Sequence, residues 1–438
     1  MTETLDRYLL VDPGTVAGTT YTTAYFSVCP GNEAGDGTCA KVIAPTDRGI
    51  AMTAASASQM DGQTGDLGAS ITYAGSSFHV LSDNGSGGGA IADPVAIGYR
   101  ISPTKAGFAT ALTSDNTSTG INTENDDNDT RVSNLLARGT DLWFAMASDN
   151  ASTNGGSTVW GEGDNVSLAV RANGTANFTD NGSFVTNHAS LTTPPQIASS
   201  GDGVYVFLGS GATVTAYNVF DNGTTTALTG LTAVDVDTWC SASTGTASQY
   251  GLVVSGSNAT WVLTNVDAVY DNGTTTRKST AVVLGGTGPS VGLTHANLCA
   301  ITHLDGTFYL AIADEDGTSG DNVSVWKSDN LTGWAQIGND FSISADAASV
   351  AIATTGTSAS DNGVWVAVND ANNVEVLHYE DIAGGSTYAW RSVGAVIAGA
   401  STTIGSNGRI SIATDGTSVI AVTAIDTANT QVGIWFNQ

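Results

Sequence analysis

Short runs in which apolar and polar residues alternate, each opened by a glycine, recur about every 57 residues along this chain. They begin at Gly18 (GTTYTTAYFSV), Gly75 (GSSFHVLSD), Gly139 (GTDLWFAMASD), Gly203 (GVYVFLGS), Gly251 (GLVVSG), Gly306 (GTFYLAIAD), Gly363 (GVWVAVND) and Gly416 (GTSVIAVTA). Alternation with a period of two is the pattern of a strand with one covered face. Another run precedes each cassette, as at 70–73 (SITY), 134–137 (NLLA) and 297–301 (NLCAI). A third follows, as at 95–101 (VAIGYRI), 166–170 (VSLAV) and 374–379 (VEVLHY). Some repeats add a fourth, more polar run, at 334–337 and 390–396. No stretch combines a 3.6-residue period with helix caps, so almost no helix is predicted.

A unit this short cannot bury its own apolar face and must stack on its neighbours. Four antiparallel strands per repeat predict an all-β fold, a single closed β-propeller over residues 1–438 built of four-stranded blades. Eight blades are preferred, and seven follow if the first cassette is only an extra hairpin. The last cassette stops after its third strand, at Phe436. A closed ring would borrow the missing strand from the N-terminal part, with residues 8–11 (YLLV) one candidate for pairing with the last blade at 401–438. Closure removes exposed sheet edges. A row of β-sandwich domains would instead show linkers and a pattern near about 100 residues, which the chain lacks. The Asp-Asn-Gly triplets at Asp83, Asp180, Asp221, Asp271 and Asp361 predict tight turns, since Asn and Gly accept positive φ. Residues 117–130 read as a long loop between strands.

Composition narrows the function. Hydrophobic residues make up 41%, enough for a packed core, whereas charged residues are only 12%. The net charge of −28, from 41 acids against 13 bases, repels phosphate and excludes nucleic acid as a partner. Solvation rests on Ser, Thr, Asn and Gly, which suits an extracellular, cell-surface or virion-surface protein. No segment approaches the length of a membrane-spanning helix, and the first residues show no signal-peptide pattern.

Cys29 and Cys39 flank a glycine-rich turn, where a disulfide could staple a hairpin. Cys240 and Cys299 hold equivalent places in successive repeats, so they could pair across adjacent strands or stay free thiols. Two acidic loops offer oxygen ligands for Ca²⁺: Asp314, Asp316 and Asp321 in one, Glu124, Asp126, Asp127 and Asp129 in the other. A solvated acidic turn is the plainer reading of each. The five histidines, His79, His188, His295, His303 and His378, are scattered, and no phosphate-binding loop or nucleophile elbow is present. Trp261, Trp326, Trp365, Trp390 and Trp435 fall on alternating strand positions, where packing between sheets outweighs sugar stacking.

The segment 328–334 (SDNLTGW) lies between two strand-like runs. It resembles a degenerate Asp-box, the turn of sialidase-like propellers, with Asn330 at the polar position and Trp334 one residue early. That resemblance implies a propeller blade in which the box is structural. Sialidase chemistry would add three arginines, a Tyr–Glu pair and an acid. The segment 99–102 (YRIS) and Arg138 and Arg409 on inner runs are all that answers to it. A glycosidase needs two carboxylates at a set separation, and none is marked. The expected function is therefore non-catalytic: a propeller that binds glycan or protein partners through its loops. The alternatives are a self-assembling subunit of a filament, sheath, surface layer or virion, and a sialidase-like hydrolase.

Overall fold

The computed structural model describes the strands and their tighter connections between residues 15 and 437. The longer segments 1–14, 21–48, 54–68, 83–94, 102–108, 112–130, 148–165, 186–194, 229–237, 284–298, 314–321 and 393–409 lie outside the described residues, with some short connections. The fold is an all-β propeller. Its sheets are antiparallel, and in all but the last the chain order runs from the innermost strand outward.

Among the described residues, seven sheets have four or more strands. Sheet 1 runs through Ala69–Ala74, Ser77–Ser82, Val95–Ile101 and Ala109–Ala111. Sheet 2 holds Leu136–Arg138 and Arg131–Val132 against Asp141–Ala147, followed by Val166–Arg171 and Thr179–Val185. Sheet 3 is Gln196–Ser199, Gly203–Ser210, Thr213–Phe220 and Thr225–Leu228. Sheet 4 is Thr238–Ser243, Gln249–Gly256, Thr260–Asp271 and Thr274–Val283. Sheet 5 comprises Cys299–Leu304, Thr307–Ala313 and Asn322–Ser328, with Ala335–Gln336 and Phe341–Ser342 on its outer edge. Sheet 6 is Ser349–Thr354, Val364–Asn369, Val374–Asp381 and Tyr388–Ser392. Sheet 7 joins the two ends of the chain: Ser411–Thr414, Ile420–Asp426 and Gln431–Asn437 are completed by Gly49–Thr53. In that last pair Gly49 stands opposite Asn437 and Thr53 opposite Gly433. Residues 8–11 lie outside the described residues. So does Gly18 of the first cassette, beside which Thr15–Val16 pairs with Thr19–Thr20.

The innermost strand of each sheet lies beside that of the next, and Ser411–Thr414 lies beside Ala69–Ala74. Stacking of this kind covers both faces of the second strands. Thr307–Ala313 and Val364–Asn369 are buried along their whole length. The alternation in their sequences therefore does not mark one wet face. It marks two dry faces packed by different neighbours. One apolar cluster gathers Leu135, Phe144, Leu168 and Val206 between sheets 2 and 3. A second joins Leu310, Ile312, Val325 and Val366 across sheets 5 and 6. A third sets Ala367 and Val374 of sheet 6 against Ile412, Ile420 and Val422 of sheet 7.

Turn chemistry explains the hairpins. Between Ala74 and Ser77 the two-residue turn takes positive φ at both Gly75 and Ser76, and Asp305 and Gly306 do the same before Thr307. The Asp-Asn-Gly triplets divide. At Asp271 the strand partner is Thr274, so the chain reverses between them, Asn272 and Gly273 lying outside the described residues. At Asp221, Gly223 N donates to Phe220 O in a tight turn. At Asp361 the triplet forms one turn of 3-10 helix. The triplet at Asp180 corrects the sequence reading, because it lies inside Thr179–Val185. The register there shifts twice against Val166–Arg171, so the Asn and Gly are absorbed by a bulge and not a reversal. Asp83 lies outside the described residues. Trp334 packs half-buried against the cluster of sheets 5 and 6, and residues 330–333 of the Asp-box-like segment are not described. Asp329, in the same segment, accepts a hydrogen bond from Thr307 Oγ1 at 2.8 Å.

Candidate binding site at one end of the channel

Among the described residues, the innermost strands of the seven sheets leave an axial channel between them. Its narrow part, about 190 Å³, is lined by residues of all seven, among them Ser70, Leu135, Gln196, Cys240, Val350 and Ser411. Here short polar side chains tie four of the neighbouring sheet pairs through the backbone. Leu135 N donates to Ser70 Oγ at 2.7 Å, joining sheets 1 and 2. Asn134 Oδ1 accepts from Ile197 N at 3.3 Å, joining sheets 2 and 3. Ile410 N donates to Ser349 Oγ at 3.2 Å, and Ile71 N to Ser411 Oγ at 3.1 Å, joining sheet 6 to 7 and 7 to 1. Inner strands in neighbouring sheets do not form a ladder with each other. Their edge N–H groups need these acceptors or stay unpaired in a buried place.

Between sheets 4 and 5 the tie is covalent. Cys240 and Cys299 form a disulfide with Cα atoms 5.8 Å apart, both buried. Their separation of 59 residues is one repeat, which is why equivalent positions meet. Cys29 and Cys39 lie outside the described residues.

Toward the hairpin turns the channel widens into a cavity of about 620 Å³ bounded by sheets 2 to 5. That volume falls in the range of small-molecule sites. Its wall carries Asn134, Ser199, Ser241 and Thr302 as uncharged polar groups, with Arg138 and His303 as its titratable ones. Arg138 ends the inner strand of sheet 2, and its guanidinium grips Asp221 in the outer turn of sheet 3 with two parallel bonds. Nη2 donates to Oδ2 at 2.8 Å and Nη1 to Oδ1. The side chains are 22% and 52% exposed, respectively; Arg138 lines the cavity and Asp221 holds it from the sheet 3 side. His303 leans its ring against Phe308, with centroids 4.7 Å apart. Burial lowers its pKa from the ordinary imidazole value, and the carboxylate of Asp305 opposes that shift. A second ion pair at the same end, Lys327 to Asp361 at 2.7 Å, stitches sheet 5 to sheet 6.

The sequence did not foretell a buried Arg–His pair between sheets 1 and 2. Arg171 Nη2 donates to His79 Nδ1 at 3.1 Å, which leaves His79 Nε2–H to donate to Ala74 O at 3.1 Å. The tautomer follows because a guanidinium only donates and a carbonyl only accepts. This is a packing role for His79, which is 5% exposed. His378 stacks on Trp365 at 4.0 Å, also within the packed sheets. His188 and His295 lie outside the described residues. Trp326 and Trp390 pack against the cluster of sheets 5 and 6, and Trp390 Nε1 donates to Ile337 O at 3.0 Å. Asp314, Asp316, Asp321, Glu124, Asp126, Asp127 and Asp129 all fall outside the described residues. Among the described residues, no group of three or more His, Cys, Asp or Glu is placed to hold a metal ion. No described helix is long and apolar enough to cross a membrane.

No family model matches the chain, and no curated protein does. Solved structures similar to it include the fucose-specific lectin from Aleuria aurantia, at 16% identity and a TM-score of 0.44 over 70% of this chain and 91% of that one. The SapL1 lectin in complex with alpha methyl fucoside matches at 14% identity and 0.43, over 68% and 88% of the two chains. The alpha-L-arabinofuranosidase Arb93A from Fusarium graminearum, in complex with an iminosugar inhibitor, matches at 10% and 0.39, over 72% and 96%. At these identities and scores no binding or catalytic residue carries over to this chain.

Proposed function

We propose that this chain is a non-catalytic recognition module, a propeller that takes glycan or protein partners at the turn-bearing end of its channel. The observation that carries this reading is the cavity of about 620 Å³, whose polar wall mixes hydroxyl and amide groups with one guanidinium and one imidazole. Such a wall can satisfy a ligand rich in hydroxyls or amides. Cleaving a glycosidic bond would take a pair of carboxylates facing the same space, and the described wall supplies none. The disulfide and the sparse charge fit the oxidising surroundings of an extracellular or particle-surface protein. We also propose seven blades, with Gly49–Thr53 as the strand that closes the ring.

A glycan array probed with the full chain tests the reading, run once in calcium and once in chelator. Binding is expected, and Thr302→Trp, which fills the cavity from a half-buried wall position, should abolish it with the melting temperature unchanged. Binding that survives the substitution would place recognition elsewhere on the disc. Loss in chelator alone would assign Ca²⁺ to the acidic loops at 124–129 and 314–321.

A further inference from the structure

We propose that the cavity selects neutral sugars, with Arg138 and Asp221 together reading a pair of vicinal hydroxyls. This rests on the glycan reading above and goes further, to the class of glycan. The guanidinium at the cavity rim is already engaged by a carboxylate through two bonds that cross from sheet 2 to sheet 3. A carboxylate or sulfate on a ligand would have to displace Asp221 from a bidentate pair, the strongest kind of charge-assisted contact. The other titratable group on the wall, His303, sits half-buried against Phe308, where the uncharged ring is favoured. No uncompensated cation on the described wall therefore awaits an anion. The chain as a whole, at −28, adds a field that disfavours one.

A neutral diol meets the opposite situation. Each hydroxyl both donates and accepts. Asp221 offers carboxylate oxygens on a side chain that is 52% exposed, beside the Arg138 guanidinium on the cavity wall. Two neighbouring hydroxyls can then donate to the remaining lone pairs of the carboxylate without breaking the ion pair. Ser199, Thr302 and the neutral imidazole of His303 extend the same uncharged chemistry into the cavity.

The test uses matched glycans, each neutral core printed beside its sialylated and sulfated forms, followed by calorimetric titration of the best neutral core at about 0.15 M salt. Neutral cores should bind at least about tenfold tighter than their acidic forms. Asp221→Asn keeps the shape but weakens the acceptor and its hold on Arg138, so it should cost about tenfold on the neutral core and narrow the gap to the acidic forms. The exchanged double variant Arg138→Asp/Asp221→Arg should recover part of the loss, which distinguishes recognition by the pair from damage to the fold. Acidic forms that bind as well as neutral ones, or neutral binding indifferent to Asp221→Asn, would overturn the proposal and leave the glycan reading intact. Failure of every printed glycan would overturn both.

Discussion

Ser70 is small, uncharged and buried, and it holds two sheets together through one oxygen. Its hydroxyl is the acceptor for Leu135 N. Ser70→Ala removes that acceptor while leaving the donor buried, an asymmetry that costs about 1–3 kcal/mol. Chemical denaturation followed by tryptophan fluorescence should show a lower midpoint of that order, with Ser70→Thr retaining more of the stability than Ala. None of this was legible in the sequence, where Ser70 is one serine among many in a Ser- and Thr-rich chain. The same holds for Arg138 and Asp221, which are 83 positions apart and meet only because sheets 2 and 3 stack. Gly338 makes the point in reverse. Its φ of +69° and the 2.7 Å that would separate a Cβ from Tyr379 Cε2 explain a glycine that the sequence offered with no reason attached.

At the level of elements, the repeated glycine-plus-alternation cassette announced the strands well. Seven of the eight cassettes correspond to described second strands, and the hairpin turns at Gly75 and Gly306 follow from positive φ. The fourth strands were placed less sharply: 334–337 and 390–396 were expected, and Ala335–Gln336 and Tyr388–Ser392 are found. Outer strands are more polar and pack on fewer neighbours, so their pattern is weaker. The disulfide belongs to this scale. It joins the inner strands of sheets 4 and 5, whereas the other ties described along the channel are hydrogen bonds. In the chain-entropy account a loop of this length is worth about 4 kcal/mol. The double variant Cys240→Ala/Cys299→Ala should therefore melt several degrees lower by calorimetry, with the far-ultraviolet spectrum of the native state unchanged. An unchanged melting temperature would mean that the hydrogen-bonded ties alone hold the ring.

For the whole molecule, the pairing of Gly49–Thr53 with Gln431–Asn437 makes one sheet depend on both ends of the chain. Deleting residues 1–54 leaves Gln431–Asn437 as a bare edge at the point where sheet 7 should be complete. Such edges recruit other chains. The truncated protein should run as oligomers or aggregate in size-exclusion chromatography, where the full chain runs as one species, and adding back a peptide of residues 45–57 should reduce the association. By itself the sequence determined the class of fold and the repeat, because period-two alternation and turn-forming residues are local properties that stacking only has to accept. It also placed Cys240 and Cys299 at equivalent points of neighbouring repeats. The tertiary structure decided which N-terminal strand completes the last sheet, which faces are dry, and which polar groups meet around the channel. Those outcomes depend on how sheets are arranged about a common axis, and residues brought together in that way carry no mark of it in their spacing along the chain.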